Sequence, residues 1–360
     1  MTIAKILLAL VLVAILAIAA FSYWIYSGVN SPHEHSRSND YIKIEKGSTP
    51  RDILGKLEAE GIIADTTPTS MYLRVLGDGS KLQAGEFQFP SPVTPLQVLK
   101  ILEKGEDRTV KFTVPEGFTR FDIAKRIVEK FPGTAGADEK AVVALMDDVT
   151  LISDIAPTAQ NLEGYMYPST YNLPRDATPK EVIKALVDQF RKVWKPEWND
   201  AAKSLNRTPH EIVTMASLIE TETSVESERP IVAGVINNRL ARNIPLGIDQ
   251  ANVYLAKMMG RWDGTIHKSD LEVNSPYNTR INTGLPPGPI SSVTESSIQA
   301  ALFPSPSSYI FYVRNVDLND GSHWFYESAA GFEQGKAKYQ KWLEKERELK
   351  KAAETQPQVQ

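Results

Sequence analysis

Tyr41-Ile42-Lys43-Ile44-Glu45-Lys46-Gly47-Ser48-Thr49-Pro50-Arg51-Asp52-Ile53 and Lys111-Phe112-Thr113-Val114-Pro115-Glu116-Gly117-Phe118-Thr119-Arg120-Phe121-Asp122-Ile123 follow one physical plan. In each, alternating apolar residues predict a short strand with one buried face. Gly47 or Gly117 permits the turn, and Thr49 or Thr119 caps a helix whose third position is Asp52 or Asp122, the reciprocal pairing of a capping box. Pro50 suits a first helical position, where the missing N–H costs nothing. Apolar stripes carry both helices onward, through Ile53, Leu54 and Leu57 in the first and Ile123, Ile127 and Val128 in the second. A further helix over 94–103, with Leu96, Val98, Leu99 and Leu102 inward, is closed by Gly105. These units make the chain α+β.

Working outward toward the amino terminus, residues 6–21 are uninterrupted apolar sequence, and Tyr23, Trp24, Ile25 and Tyr26 extend the run to about the 20 residues a bilayer requires. The aromatics suit a headgroup belt, and Lys5 gives a positive-inside bias that leaves the remainder outside the cytoplasm. Ala17-Ile18-Ala19 resembles a signal-peptidase site, but the run is longer than a cleaved signal and ends in bulky aromatics. Residues 1–27 are therefore read as a single-pass anchor in the inner (cytoplasmic) membrane with the rest periplasmic. Residues 28–40, with Pro32, His33, His35 and Ser36, read as a flexible spacer. No other histidine lies near His33 and His35 to complete a metal site, so they read as solvated.

Toward the carboxyl terminus helices dominate, with periodic stretches over 139–147, 179–194, 209–222 and 229–242 joined by irregular loops and a few strands. A charged helix over 336–351 leads to a disordered tail. The expected organisation is a small α+β module over 41–108, a larger, mostly helical domain over 109–342, and a charged end over 343–360.

Composition narrows the function. Forty Lys+Arg against 44 Asp+Glu give a net charge of -4, without the basic excess of a nucleic-acid binder. Cys 0 rules out disulfides, thiolate chemistry and cysteine zinc sites. No nucleophile elbow, phosphate loop, zinc helix or dinucleotide fingerprint is present, so no cofactor or metal is expected. What remains is carboxylates beside apolar helix faces, and loops of Asn, Tyr, Gly and Pro suited to sugars.

Thr214-Met215-Ala216-Ser217-Leu218-Ile219-Glu220-Thr221-Glu222-Thr223 is the stretch most able to carry chemistry. A helical wheel turns Ile212, Met215, Ala216 and Ile219 inward and sets Glu220 and Glu222 at opposite margins. Half-burial at such a margin raises a carboxyl group's pKa and suits it to general-acid work. The wheel does not choose between the two glutamates.

This stretch, with Ser227-Glu228-Arg229 and Asn238-Arg239-Leu240 after it, resembles the signature of the endolytic transglycosylases of the YceG-like family. Leu162-Glu163-Gly164-Tyr165-Met166-Tyr167-Pro168 resembles a second motif of that family. Ser275-Pro276-Tyr277-Asn278-Thr279 with Gly284-Leu285-Pro286-Pro287-Gly288 resembles a third. Gly321-Ser322-His323 extends the likeness to about residue 342, and the module over 41–108 resembles a LysM-like glycan binder. Asp249-Gln250-Ala251 and Ser291-Ser292-Val293-Thr294 depart from the family's Asp-Pro-Thr and Asn-Pro-Gly.

The resemblance implies that Glu220 is the catalytic acid/base. It also implies peptidoglycan glycan strands as substrate, cleaved to 1,6-anhydro ends, and synthases as natural partners. Glu163, Arg239, Asp249, Tyr277, Asn278, Thr279 and Gly284 are the expected substrate-binding residues. Arg239 with Glu163 could equally form a buried ion pair, and Asp249 is the candidate accessory carboxylate.

Overall fold

The computed structural model of the chain describes residues 2–45, 47–105, 109–131 and 138–355. The expected module boundary near 108 and the final residues 356–360 fall outside them. Two compact units divide at Thr109 and Val110.

The first unit contains α1 (Thr2–Asn30), β1 (Ile42–Ile44), α2 (Pro50–Ala59), α3 (Thr67–Val75), β2 (Gly85–Phe87) and α4 (Pro95–Lys104). α1 is long and apolar enough to cross a membrane, and its exposed side chains are almost all hydrophobic. β1 and β2 pair antiparallel, with Ile42 opposite Phe87 and Ile44 opposite Gly85. Their buried faces meet Ile53, Leu54 and Leu57 of α2 and Val98, Leu99 and Leu102 of α4 in one core. Thr49 with Asp52 and Thr94 with Gln97 close capping boxes, so two helix starts are fixed by local chemistry.

Residues 28–40 do not form the expected free spacer. Ile25 and Val29 at the end of α1 are buried, and Gly28 lies so close to Pro68 that a Cβ there would come within 2.4 Å of that ring. Beyond the helix, His33 and Val93 exchange backbone hydrogen bonds at 2.9 and 3.0 Å, and His35 donates from Nε2 to the Pro90 carbonyl at 3.0 Å. The apolar helix is thus joined to its unit by packing and β pairing, and both histidines have structural work.

The second unit holds β3 (Thr109–Thr113), α5 (Arg120–Lys130), α6 (Glu139–Leu145), β4 (Thr170–Pro174), α7 (Pro179–Val193), α8 (Glu197–Ser204), α9 (Pro209–Glu222) and α10 (Arg229–Ala241). After these come α11 (Asp249–Met258), α12 (Lys268–Leu271), α13 (Glu295–Leu302), β5 (Phe311–Arg314), β6 (His323–Tyr326) and α14 (Ala329–Thr355). β3 pairs with β4, β5 pairs antiparallel with β6, and α14 packs on that hairpin. The second copy of the strand-turn-helix plan appears as β3 and α5, with Gly117 at φ +72° and a capping box between Thr119 and Asp122.

α9 is the axis of this unit. α13 runs along it, and α10, α11 and α8 also pack against it. Every residue from Ile212 to Glu220 is buried, so the two-faced helix of the wheel is in fact enclosed all round. α11 and α13 are not among the helical stretches that periodicity predicts. α14 begins before and ends after the expected 336–351.

Candidate active site

Glu220 lies in the last turn of α9, its side chain only 2% exposed. The segment ahead of α13 is laced to the same helix face. Ile290 N donates to Ser217 Oγ at 3.0 Å, and Ser291 Oγ donates to the Ser217 carbonyl at 3.3 Å. One turn on, Thr294 N and Thr294 Oγ1 both donate to Glu220 Oε2, at 2.9 and 2.7 Å. Since Thr294 is also the N-cap of α13, the carboxylate meets the positive end of that helix. Arg229, at the start of α10, donates from Nη2 to Glu220 Oε1 at 2.9 Å and from Nη1 to Thr294 Oγ1 at 2.7 Å. A cation and two further donors around one carboxylate are the ligand set of an anion.

Glu116 lies beside this group. Its turn is pinned by Ser292, which donates from N to the Phe118 carbonyl at 2.7 Å and from Oγ to the Pro115 carbonyl at 3.3 Å. Glu116 Oε2 is 3.8 Å from the same Arg229 Nη2, and its side chain is 64% exposed. Tyr167 completes the surroundings: its phenol is pushed up by burial, and the charges of Glu295, Glu116 and Glu220 act on it in the same direction. Arg229, Thr294, Glu116 and Tyr167 are the site residues that sequence reasoning missed. All four lie in stretches quoted above, but no periodicity links residue 116, 167, 229 or 294 to residue 220.

The expected substrate-binding residues fall into other groups. Glu163 is buried and accepts the backbone N–H of Arg120 at 2.9 Å. Tyr277 packs on Tyr254, ring centroids 5.2 Å apart, and its phenol is pushed up by burial and by Glu163. Arg239 makes no ion pair with Glu163. It donates from Nε to the Ile310 carbonyl and from Nη1 to the Leu246 carbonyl, both at 2.6 Å, and stacks over Phe311. Nor is Asp249 a neighbour of Glu220 by any hydrogen bond. It stands at the start of α11 and accepts from Arg280 Nε at 2.9 Å. Its charge bears instead on Glu222, which burial pushes up and which accepts the Tyr312 hydroxyl.

Asn278 and Thr279 are enclosed, and both hold the loop together. Asn278 Nδ2 donates to the carbonyls of Leu271 and Val273, both at 2.9 Å, and its Oδ1 accepts from Arg280 N at 3.1 Å. Thr279 Oγ1 accepts from Ile248 N at 3.0 Å. Gly284 sits at φ +90° with open space where a Cβ would be. Among the described residues no cluster of three or more His, Cys, Asp or Glu is arranged to hold a metal ion.

Comparison with known proteins settles what this scaffold is. The profile of the YceG-like family matches residues 42–338. The chain belongs to the YceG-like family. The endolytic murein transglycosylase of Bacillus subtilis (strain 168) is 31% identical over 295 residues, covering 77% of this chain and 79% of that protein. The endolytic murein transglycosylase of Streptococcus pneumoniae (serotype 2, strain D39) is 28% identical, and the match covers 79% of this chain but 55% of that longer protein. A crystal structure of a yceG-like protein from Listeria monocytogenes superposes with a TM-score of 0.54 at 29% identity, covering 82% of this chain and 97% of that one. In this YceG-like chain, the match takes in Glu220 with Arg229, Thr294 and Glu116.

Glu163 offers a test independent of activity. Burial raises its carboxyl from 4.5 to about 7, against the pull of the Arg120 N–H and guanidinium. Between those values the folded chain keeps a proton that the unfolded chain has released, so this group's contribution to stability falls as pH rises through the window. Glu163→Gln keeps an acceptor for the Arg120 N–H and abolishes the titration. From about pH 5 to pH 8, denaturant unfolding should show wild type losing up to about 3 kcal/mol relative to the variant. Parallel curves would place an ionised carboxylate in the fold.

Proposed function

We propose that this chain is a membrane-anchored endolytic transglycosylase that cuts the glycosidic bond between N-acetylmuramyl and N-acetylglucosaminyl residues within peptidoglycan strands, with Glu220 as acid and base. The observation that carries the reading is Glu220 at the end of the buried central helix, held by three donors and bordered by the exposed Glu116 and the half-buried Tyr167.

One carboxyl group is enough for this reaction, whereas most glycosidases need two. Protonated Glu220 gives its proton to the bridging oxygen as the bond to the muramyl C1 breaks. The C6 hydroxyl of that same ring attacks C1 and returns its proton to the carboxylate, restoring the acid. No water is consumed, and the cut end is a 1,6-anhydro sugar. Carrying the nucleophile on the substrate supplies the proximity that an incoming water would lack.

The apolar α1 fits a single-pass anchor in the inner membrane with the remainder periplasmic, which places the enzyme where new glycan emerges. The first unit is then a LysM-like holder for the strand, and synthases are the natural neighbours. Digestion of purified sacculi by the full chain, with mass spectrometry of the released fragments, tests the activity. Anhydro-muramyl ends within the strands are expected. Reducing ends would mean hydrolysis, and unchanged strands that still sediment the protein would mean a binding scaffold.

A further inference from the structure

A general acid must carry a proton when substrate arrives, yet Arg229 holds Glu220 as an anion should be held. Glu220 Oε2 is committed to Thr294 N and Oγ1, so Oε1 is the oxygen left to take up the proton, and Arg229 Nη2 covers it at 2.9 Å. The same Nη2 has a second N–H and a second carboxylate within reach, Glu116 Oε2 at 3.8 Å. Arg229 Nη1 is tethered to Thr294 Oγ1 at 2.7 Å, which leaves the other arm of the guanidinium free to pivot. Glu116 itself stands on a turn fixed to Ser292, two residues from Thr294, so pivot and receiver share one support.

We propose that Glu116 is a positioning residue that draws Arg229 off Glu220 Oε1, uncovering the oxygen that carries the catalytic proton. In the resting arrangement Arg229 bridges toward both carboxylates. When glycan covers the exposed Glu116 and excludes water from it, the attraction between Glu116 and Arg229 strengthens, because the screening that weakened it is removed. Arg229 then turns to Glu116, Glu220 takes a proton from solvent on Oε1, and Oε2 stays anchored by Thr294. The charged or titratable groups around Glu220 are Arg229 from α10, Glu116 from the β3–α5 turn, Tyr167 from the segment before β4, and Glu295 of α13, itself paired with Lys195 at 2.7 Å. Of these, only Glu116 competes with Glu220 for the guanidinium.

The proposal rests on Glu220 being the acid, and the test separates the two claims. In full-chain Glu116→Gln, the alkaline limb of kcat, which reports the glycan-bound enzyme, is expected to move to lower pH by roughly half a unit, about a threefold change in rate on that limb. The carboxyl 13C signal of Glu220, read with a bound glycan strand whose muramyl C6 hydroxyl is replaced by hydrogen so that it stays uncleaved, should move toward its ionised position in the same variant. Glu116→Asp keeps the charge but withdraws it from Nη2, and should behave like Glu116→Gln. A wild-type limb and an unmoved 13C signal in Glu116→Gln would overturn the proposal. A wild-type limb in Glu116→Asp beside a shifted one in Glu116→Gln would overturn it as well, since Glu116 would then act by charge alone. Full activity in Glu220→Gln would instead remove the acid role, whatever the Glu116 variants show.

Discussion

Glu220→Gln is expected to fold as the wild type does and to lose roughly a hundred- to ten-thousand-fold of its glycan-cleaving rate. The amide has the length of the carboxylate, and its oxygen can keep both bonds from Thr294 N and Oγ1, so the seam between α9 and α13 should survive. Arg229 loses its charged partner but retains Thr294 Oγ1 and the nearby Glu116, and is not left as an isolated buried charge. An amide cannot give a proton to a leaving oxygen or accept one from a hydroxyl. Chemistry should therefore fail while structure holds, a division that thermal unfolding and fragment release from sacculi measure separately. Rates near wild type in a well-folded variant would assign the acid to another group. Glu222 is the first to examine, since burial pushes its carboxyl up.

Local chemistry was readable in the sequence wherever its signals are short-range. The repeated strand-turn-helix appears in both units with its capping boxes at Thr49 and Thr119, because a capping box is satisfied by four consecutive residues and a permissive glycine. Glu220 was placed on the right helix, and the family motifs singled it out over Glu222. The company it keeps was not readable. Arg229, Thr294 and Glu116 come from three separate elements, and only tertiary packing brings them to one carboxylate. The wheel misled for a related reason: it assumes one solvent face, whereas α9 is surrounded. The stretch Ser291-Ser292-Val293-Thr294, which departs from the family's Asn-Pro-Gly, builds the surroundings of Glu220: Ser291 ties it to α9, Ser292 fixes the Glu116 turn, and Thr294 braces Glu220. Asn278 and Thr279 show a second limit of the sequence. A polar side chain in a sugar-like loop motif suits a ligand contact or a loop cap equally, and a long loop must satisfy its own buried carbonyls and N–H groups, as these two residues do.

Gly164→Ala is expected to destabilise the second unit by about 2–4 kcal/mol, well beyond what backbone conformation alone explains. Gly164 has φ +82°, so any side chain there carries the left-handed penalty of roughly 1–2 kcal/mol. A Cβ would also stand 2.6 and 2.7 Å from Cβ and Cγ of Pro289 and 2.9 Å from Val213 Cγ1. Pro289 is a rigid ring and Val213 belongs to the central helix, so neither yields cheaply. The displaced segment carries Glu163, Tyr165 and Tyr167. Tyr165 donates its hydroxyl to His210 Nδ1 at 2.8 Å while His210 Nε2 donates to the Pro287 carbonyl at 3.1 Å, a chain that ties this segment to the 284–290 loop. Forcing Pro289 outward strains that chain and moves Tyr167 relative to Glu220, so activity should fall further than stability. Gly284→Ala is the internal control. It has φ +90° but nothing within 4 Å of the added methyl, and should cost only the conformational penalty. Denaturant unfolding of the two variants compares one strain with and without the clash, and equal losses would show that the contact with Pro289 and Val213 is not what requires glycine at position 164.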